Sequence, residues 1–154
     1  MRLAAVVRIL TGLLFLAEGW SKISGGFVRG GFGKMAGRIA QESWPFWRQF
    51  LEKAVVPNAA AFGWVFALGE LAVGIGLILG LWTRIACAGG VALMLVVALG
   101  ESRPGPGARW NDWITSGLTP KLALLLFLLL FAVDAGKVWG LDARLKRRAG
   151  IRPR

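Results

Sequence analysis

One acidic residue lies within a long apolar stretch of this chain. Residues 66–84 read FALGELAVGIGLILGLWTR, and Glu70 is the only charged residue in this stretch before Arg84. Placing a carboxylate near the centre of a lipid-embedded helix costs on the order of 2.5 kcal/mol or more, and such residues usually have a function. Glu70 has no compensating charge within its own stretch. It is therefore either a proton-handling catalytic residue or a packed hydrogen-bond partner for a neighbouring helix.

A second group of polar residues is predicted to lie at the same level as Glu70. Glu18 and Lys22 are four residues apart, so they share one face of a helix. A polar and aromatic segment, RWNDW, follows a later apolar stretch. Together these residues predict one binding pocket beside Glu70 for a substrate or an organic redox molecule. Its predicted binding residues are Glu18, Lys22, Arg109, Trp110, Asn111, Asp112 and Trp113.

Two further charges are predicted to lie within the apolar stretches. Arg8 comes about five residues after the start of the first stretch, and Asp134 comes five residues before Trp139 in the last one. If both stretches are helices, these side chains share a depth, because each residue adds about 1.5 Å along the helix. An arginine–carboxylate pair at that depth offsets the desolvation of both groups. We therefore expect Arg8 and Asp134 to form a structural ion pair.

The elements that position these residues are four long apolar segments. The chain has 154 residues, 56% of them hydrophobic, and a mean hydropathy of +0.60. The segments cover residues 3–20, 59–82, 85–100 and 118–139, and each has nearly the length of a membrane span. The sequence therefore predicts a single domain over residues 1–154, an all-α integral membrane four-helix bundle. A cleaved signal peptide is the alternative for the first span, but Arg8 interrupts it and no A-x-A site follows.

The distribution of charge predicts the orientation of the bundle. The net charge is +11, and many of the cations lie in the tail at residues 140–154. A basic cluster next to a span is typical of the cytoplasmic side of a membrane rather than of nucleic-acid binding. We therefore expect both termini in the cytoplasm, in a multi-pass protein of a bacterial or archaeal-type cytoplasmic (inner) membrane. Six basic residues in the connection at residues 21–58 argue against this orientation.

The connections and glycines give three more predictions. SWPFWRQFLEK at residues 43–53 predicts an amphipathic helix in the outer leaflet, with Ser43 as its N-cap and Pro45 in its first turn. GGFVRGGFGK at residues 25–34 predicts a flexible loop. A G-x-x-x-G pattern at residues 76–80 is a weak signal for a homodimer and a better one for packing within the bundle.

The residue types that are missing narrow the chemistry. The chain has no histidine, and its one cysteine, Cys87, is expected to be a small packing residue. Bis-histidine haem, most zinc sites and a CxxC redox pair are therefore excluded, and we expect neither haem nor metal. If the protein transfers electrons, it needs an organic redox molecule such as a quinone, or another subunit.

Several of these motifs resemble those of the DoxX family of four-helix membrane proteins. RILTGLLFLAEGWSKI at 8–23 and GELAVGIGLILGLWTR at 69–84 carry the resemblance. WND at 110–112 and AGKVWGLDARL at 135–145 are similar to the DoxD branch, the large subunit of thiosulfate:quinone oxidoreductase. The resemblance implies a quinone-linked role in sulfur-compound oxidation, often with partner subunits. The positions that match the family are Arg8, Lys22, Glu70, Arg84 and Asp112.

Two functions follow as expectations. The first is a membrane subunit that passes electrons from a sulfur compound to a membrane quinone, with Glu70 handling protons. The second is a non-catalytic structural or assembly subunit of a larger membrane complex. A small-solute carrier is a weaker hypothesis, because no inverted repeat or pair of broken helices is evident in the sequence.

Overall fold

The computed structural model describes residues 2–101, 109–133, 135–137 and 140–142, without the side chains of residues 110, 113, 114 and 137. Helices and turns make up these residues, and no strand occurs among them. The α-helices are α1 (Arg2–Ser24), α2 (Phe32–Glu42), α3 (Pro45–Phe50), α4 (Ala59–Leu79), α5 (Thr83–Glu101), α6 (Trp110–Thr115) and α7 (Leu118–Ala132). Short helical turns add Phe27–Gly31, Leu51–Val55 and Ala135–Lys137. The all-helical prediction is confirmed.

Three of the helices are long and apolar enough to cross a membrane. They are α1, α4 and α5, with 23, 21 and 19 residues. Their outward faces carry exposed apolar side chains, among them Leu3, Leu14 and Val65. A soluble monomer rarely exposes such large apolar surfaces, whereas a lipid-embedded helix must. The chain is therefore a multi-pass membrane protein.

The fourth apolar helix is shorter than the predicted span at residues 118–139. Helix α7 has 15 residues and ends at Ala132, where Val133 forms the C-cap. A helix of this length extends about 22 Å, less than the hydrocarbon thickness of about 30 Å. A short 3₁₀ turn, Ala135–Lys137, follows it. Four membrane crossings and their orientation therefore stay predictions.

Glycines bring α1 and α4 into close backbone contact. A Cβ atom on Gly12 would lie 2.9 Å from the Gly74 carbonyl oxygen, and one on Gly74 would lie 2.7 Å from the Leu16 nitrogen. Since no larger residue fits at this crossing, the two helices approach as small-residue interfaces in membranes do. The core beside this interface continues to α7, where the Phe127 ring meets Phe15 edge-to-face at 4.8 Å between centroids.

The connection between α1 and α4 is mostly helical. Residues 25–31 form a turn, with positive φ angles of 82° at Gly26 and 132° at Gly30, so the loop predicted at residues 25–34 is corrected only at its end, where residues 32–34 belong to α2. Helix α2 then starts at Phe32 and buries Phe32, Ala36 and Ala40, which are four residues apart. This apolar stripe packs with Leu51 and Val55 in a small second core. Burial of one face therefore outweighs the low helix propensity of the glycines.

Helix α3 begins one residue later than the sequence predicts. Its N-cap is Trp44, so the predicted Ser43 N-cap is wrong. Ser43 is the C-cap of α2 instead, and its hydroxyl donates to the Ile39 carbonyl oxygen at 2.6 Å. The two helices follow each other so closely that Ser43 already belongs to the end of α2. Pro45 occupies the first turn of α3 as predicted.

The glycines at 76 and 80 contribute to packing within the chain. A Cβ on Gly76 would lie 3.0 Å from the Ala86 side chain of α5. Gly80 ends α4 in the left-handed conformation, with φ of 61°. A tight turn between α4 and α5 follows. The structure thus assigns these glycines the second of the two predicted roles.

Candidate binding site at the Lys22 end of the helices

Three charged side chains meet where the C-terminal part of α1 packs on α4. The Lys22 ammonium nitrogen lies 2.8 Å from Glu70 Oε2 and donates a hydrogen bond to Glu70 Oε1 at 3.0 Å. The same nitrogen lies 3.2 Å from Glu18 Oε2. Lys22 and Glu18 are one helical turn apart on α1, so one ammonium group reaches both carboxylates. The structure therefore brings together three of the predicted site residues.

The three side chains differ strongly in exposure. Glu70 is 5% exposed, Lys22 is 19% exposed and Glu18 is 67% exposed. Glu70 thus lies in the interior, and its charge is compensated by an ammonium group from another helix, a partner that its own stretch of sequence does not contain. The Phe27 ring, 5.7 Å from the Lys22 nitrogen, adds a cation–π contact that holds Lys22 in place.

A large apolar cavity begins at these charges. Its volume is about 760 Å³, and its surface is mostly apolar. Helices α1, α2, α3, α4, α5 and α7 all contribute to the wall. The aromatic and methionine side chains of the wall are Phe15, Phe27, Phe32, Met35, Trp47, Phe50, Phe62, Phe66 and Met94. Glu18, Lys22 and Glu70 form its polar corner, and Glu101 is the other charged residue among the described residues that line it.

Part of the apolar wall of the cavity reaches the outer surface of the protein. Four of its lining residues, Phe50, Phe62, Val65 and Val96, are themselves exposed on the outside of the protein. Two of them lie on α4 and one on α5, which are long enough to cross a membrane. In a bilayer these surfaces contact lipid, so a lipid-soluble molecule can enter from the membrane.

The predicted contribution of residues 109–113 differs from what the structure describes. Arg109, Asn111 and Asp112 are not among the described residues that line the cavity. The Asp112 carboxylate instead accepts a hydrogen bond from the Arg109 backbone N–H at 2.7 Å and caps α6. The side chains of Trp110 and Trp113 lie outside the described residues. From this part of the chain the structure places the start of α7 at the cavity, through Thr119, Pro120 and Ala123.

Arg8 is fully buried at the opposite end of the helices. Its guanidinium donates a hydrogen bond to the Ala135 carbonyl oxygen at 3.0 Å. Its predicted ion-pair partner, Asp134, lies outside the described residues. The contact with Ala135 nevertheless joins the N-terminal part of α1 to the chain that follows α7, which is the region where the ion pair was expected.

Asp142 is a structural residue that the sequence analysis missed. Its carboxylate accepts hydrogen bonds from the backbone N–H groups of Trp82 at 2.8 Å and Thr83 at 3.0 Å, and so caps α5. A cap supplied from about sixty residues away leaves no local signal in the sequence. Arg84, at the same end, lies 5.5 Å from the centre of the Phe131 ring and far along α5 from the cavity.

The arrangement at the Lys22 end can bind an amphiphilic molecule and exchange protons with its polar part. A buried carboxylate and an ammonium group provide an acceptor and a donor side by side. The apolar wall provides the remaining contacts. Among the described residues there is no group of three or more His, Cys, Asp or Glu side chains that could hold a metal ion.

Comparison with known proteins gives one match. The chain matches no curated protein and no solved structure. The family model described as DoxX matches residues 3–100, from α1 to the end of α5, and so includes Glu18, Lys22 and Glu70. Because the match covers more than half of the chain, this protein belongs to the DoxX family.

Proposed function

We propose that this DoxX-family protein is the membrane subunit of a quinone-linked oxidoreductase. In this role it passes electrons from a reduced sulfur compound to membrane quinone, and the resemblance to DoxD favours thiosulfate as the donor. The observation that carries the proposal is the cavity of about 760 Å³, whose surface is mostly apolar and whose polar corner is formed by Glu18, Lys22 and Glu70.

A quinone fits the chemistry of this cavity. A quinone has a flat ring with two carbonyl oxygens and a hydrocarbon tail, and ligand cavities of about 300–1,000 Å³ are typical for molecules of drug size. The aromatic and methionine side chains offer contacts for the ring. Lys22 offers a donor for a carbonyl oxygen, and the apolar wall at Val65 and Val96 accommodates a tail.

Lys22, Glu70 and the cations of the first connection then have defined roles. A bound quinone supplies the capacity to accept two electrons and two protons, which converts it to a quinol. Lys22 orients the head group by a hydrogen bond and stabilises negative charge on the carbonyl oxygen. Glu70 transfers protons at the same corner. The exposed Arg29, Lys34 and Arg38 of the first connection attract an anionic sulfur compound to this end of the molecule.

The proposal also covers the membrane topology, the location and the partner subunits of the protein. We propose four membrane crossings with both termini in the cytoplasm, in a bacterial or archaeal-type cytoplasmic membrane. Partner subunits contribute to the donor side of the reaction, and purification in mild detergent tests this by co-purified chains and co-purified quinone.

Thiosulfate-dependent reduction of an added quinone tests the function. Membranes that contain the wild type, with candidate partner subunits supplied, are expected to reduce the quinone. In Glu70→Gln the amide still accepts the hydrogen bond from Lys22 but cannot ionise, so we expect the fold to persist and turnover to fall by about 100-fold. The matched control is Glu52→Gln, an exposed acid outside the cavity, which should leave turnover unchanged. Equal turnover in Glu70→Gln and wild type contradicts the proton-transfer role.

The alternative function is a non-catalytic structural or assembly subunit. It is supported by the contact between Lys22 and Glu70, which also satisfies both charges within the chain. If wild-type membranes with candidate partners show no quinone reduction while partner chains co-purify, this alternative is favoured. Under it, Glu70→Gln would keep both the partner chains and the thermal stability.

A further inference from the structure

We infer that Glu18, Lys22 and Glu70, which form the polar corner of the cavity, are a proton path from the membrane surface to a quinone bound in the cavity. The inference rests on the proposed function and adds the route by which protons reach the quinone. Glu70 is the buried member of these three residues, so once its carboxyl group has given up a proton, another side chain must supply the next proton. The structure places Lys22 within hydrogen-bonding distance of Glu70, and Glu18 within hydrogen-bonding distance of Lys22.

The distances make a continuous chain of donors and acceptors. Lys22 Nζ donates hydrogen bonds to Glu18 Oε2 at 3.2 Å on one side and to Glu70 Oε1 at 3.0 Å on the other. Proton transfer between side chains requires separations of about 2.6–3.2 Å, or one intervening water. Both separations satisfy this requirement without movement of the helices.

The exposures of the three side chains give the proton path a direction. Exposure falls from 67% at Glu18 to 19% at Lys22 and 5% at Glu70. Trp20, two residues after Glu18, is 66% exposed, and tryptophan is typical of the interface between lipid and water. Glu18 therefore lies where water and head groups are available, and Glu70 lies at the buried end, where the proposed quinone binds.

A purely structural ion pair does not account for Glu18. The ammonium group of Lys22 already compensates the buried carboxylate of Glu70. Glu18 adds a second carboxylate to the same ammonium, and its exposure makes it a weak contributor to stability. Proton uptake accounts for the position of Glu18 at the outer end of the proton path.

The transfers balance at each step. In the resting ion pairs Glu70 and Glu18 are carboxylates, so the first transfer is from the Lys22 ammonium to Glu70, and the Glu70 carboxyl group then gives that proton to the quinone oxygen. Glu18 takes a proton from the solvent and gives it to the Lys22 amine, which restores the ammonium and both carboxylates. Two such cycles, with two electrons from the reduced sulfur compound, convert one quinone to one quinol and leave the three residues unchanged.

Lys22→Arg separates a proton path from an ion pair. Arginine keeps the positive charge and reaches both carboxylates, but its guanidinium does not release a proton in proteins. We expect unchanged melting temperature and quinone KM in thiosulfate-dependent quinone reduction, with kcat lowered at least about tenfold. Lys53→Arg, on an exposed lysine outside the cavity, is the matched control and should leave kcat unchanged. Wild-type kcat in Lys22→Arg overturns the path.

Glu18→Gln tests the outer end and leaves the contact between Lys22 and Glu70 in place. We expect a lower kcat, a larger solvent deuterium isotope effect and an unchanged quinone KM. A small weak acid such as acetic acid should restore turnover by replacing the missing carboxyl group, and Glu18→Asp should retain part of it. Unchanged kcat in Glu18→Gln together with a loss in Glu101→Gln, the other acid at the cavity, overturns the path by assigning proton uptake to Glu101.

The outcomes distinguish the path from the function on which it rests. Quinone reduction by the wild type with full turnover in Lys22→Arg and Glu18→Gln overturns the path and leaves the proposed function standing. No quinone reduction by the wild type overturns both. Lower kcat in both variants, with rescue of Glu18→Gln by the weak acid, supports both.

Discussion

At the scale of single residues, each end of the molecule holds a buried charged side chain, and the groups that stabilise the charge differ between the two ends. At one end the buried carboxylate of Glu70 is held by the ammonium of Lys22. At the other end Arg8 is fully buried and donates to the backbone oxygen of Ala135. In both cases a helix that faces lipid keeps a charge by presenting it to protein groups, since an unpaired charge in the interior costs several kcal/mol.

Gly80 is the residue on which the packing around Arg8 depends. A Cβ there would lie 2.5 Å from Arg8 Nη1 and 2.6 Å from Gly140 Cα, and the backbone is left-handed with φ of 61°. We therefore expect Gly80→Ala to destabilise the protein by about 2 kcal/mol or more, because left-handed backbone alone costs about 1–2 kcal/mol. A thermal melt in detergent measures this.

The control for that measurement is Gly37→Ala on α2. A Cβ on Gly37 meets nothing within 4 Å, and its backbone is helical. Alanine is the better helix former, by about 1 kcal/mol, so the melting temperature of Gly37→Ala should stay or rise. Equal melting temperatures for the two variants would contradict the role of Gly80.

The candidate site was predictable from the sequence only in part. Depth along the apolar helices correctly grouped Glu18, Lys22 and Glu70 at one level, because residue number converts directly to distance. That Lys22 touches Glu70 was not predictable, because the rotation of each helix about its axis decides which side chains meet. A helix that is apolar on all sides gives little indication of that rotation.

At the scale of elements, the long helices were easier to predict than the connection between them. The spans predicted at 3–20, 59–82 and 85–100 correspond to α1, α4 and α5, with ends that differ by a few residues. Helix α2 was missed because its sequence, FGKMAGRIAQE, has two glycines and forms a helix by burying one face over the cavity. Such tertiary burial is absent from local sequence patterns.

Arg48 joins the two helices of this connection. Its guanidinium donates to the carbonyl oxygens of Ala40, at 2.9 Å, and Gln41, near the end of α2. These carbonyl groups lack partners in their own helix, so the contact completes the C-terminal turn. We expect Arg48→Met to cost about 1–3 kcal/mol and to speed amide hydrogen exchange over residues 32–55, with α4 and α5 unchanged.

Lys53→Met provides the comparison for Arg48→Met. It removes an exposed cation from the same connection. The hydrogen bonds described between α3 and α2 come from Arg48 and not from Lys53. Its exchange rates should match the wild type. Faster exchange in both variants to the same degree would indicate a general effect of charge rather than the loss of the tie between α3 and α2.

At the scale of the whole molecule, the number of crossings depends on α7. Its 15 residues are too few to span the hydrocarbon core as a helix alone. Yet Thr119 and Pro120, near its start, line the cavity beside Glu70, and Ala135, just after its end, accepts the hydrogen bond from Arg8. The segment from residue 119 to residue 135 therefore runs from the cavity to Arg8. The part of α1 from Lys22 to Arg8 covers the same distance along the bundle.

We therefore expect four crossings, and reporters of membrane sidedness distinguish four from three. A reporter fused after Arg154 should be on the cytoplasmic side, and reporters inserted near Gly105 and at Gly37 should both be on the other side. If α7 does not cross, the reporters at Arg154 and Gly105 would instead lie on the same side. If all three reporters exchange sides, four crossings stand but the orientation is inverted, and the six cations of the 21–58 connection then outweigh the basic tail. In that inverted case the exposed carboxylate of Glu18 would take its protons from the cytoplasm.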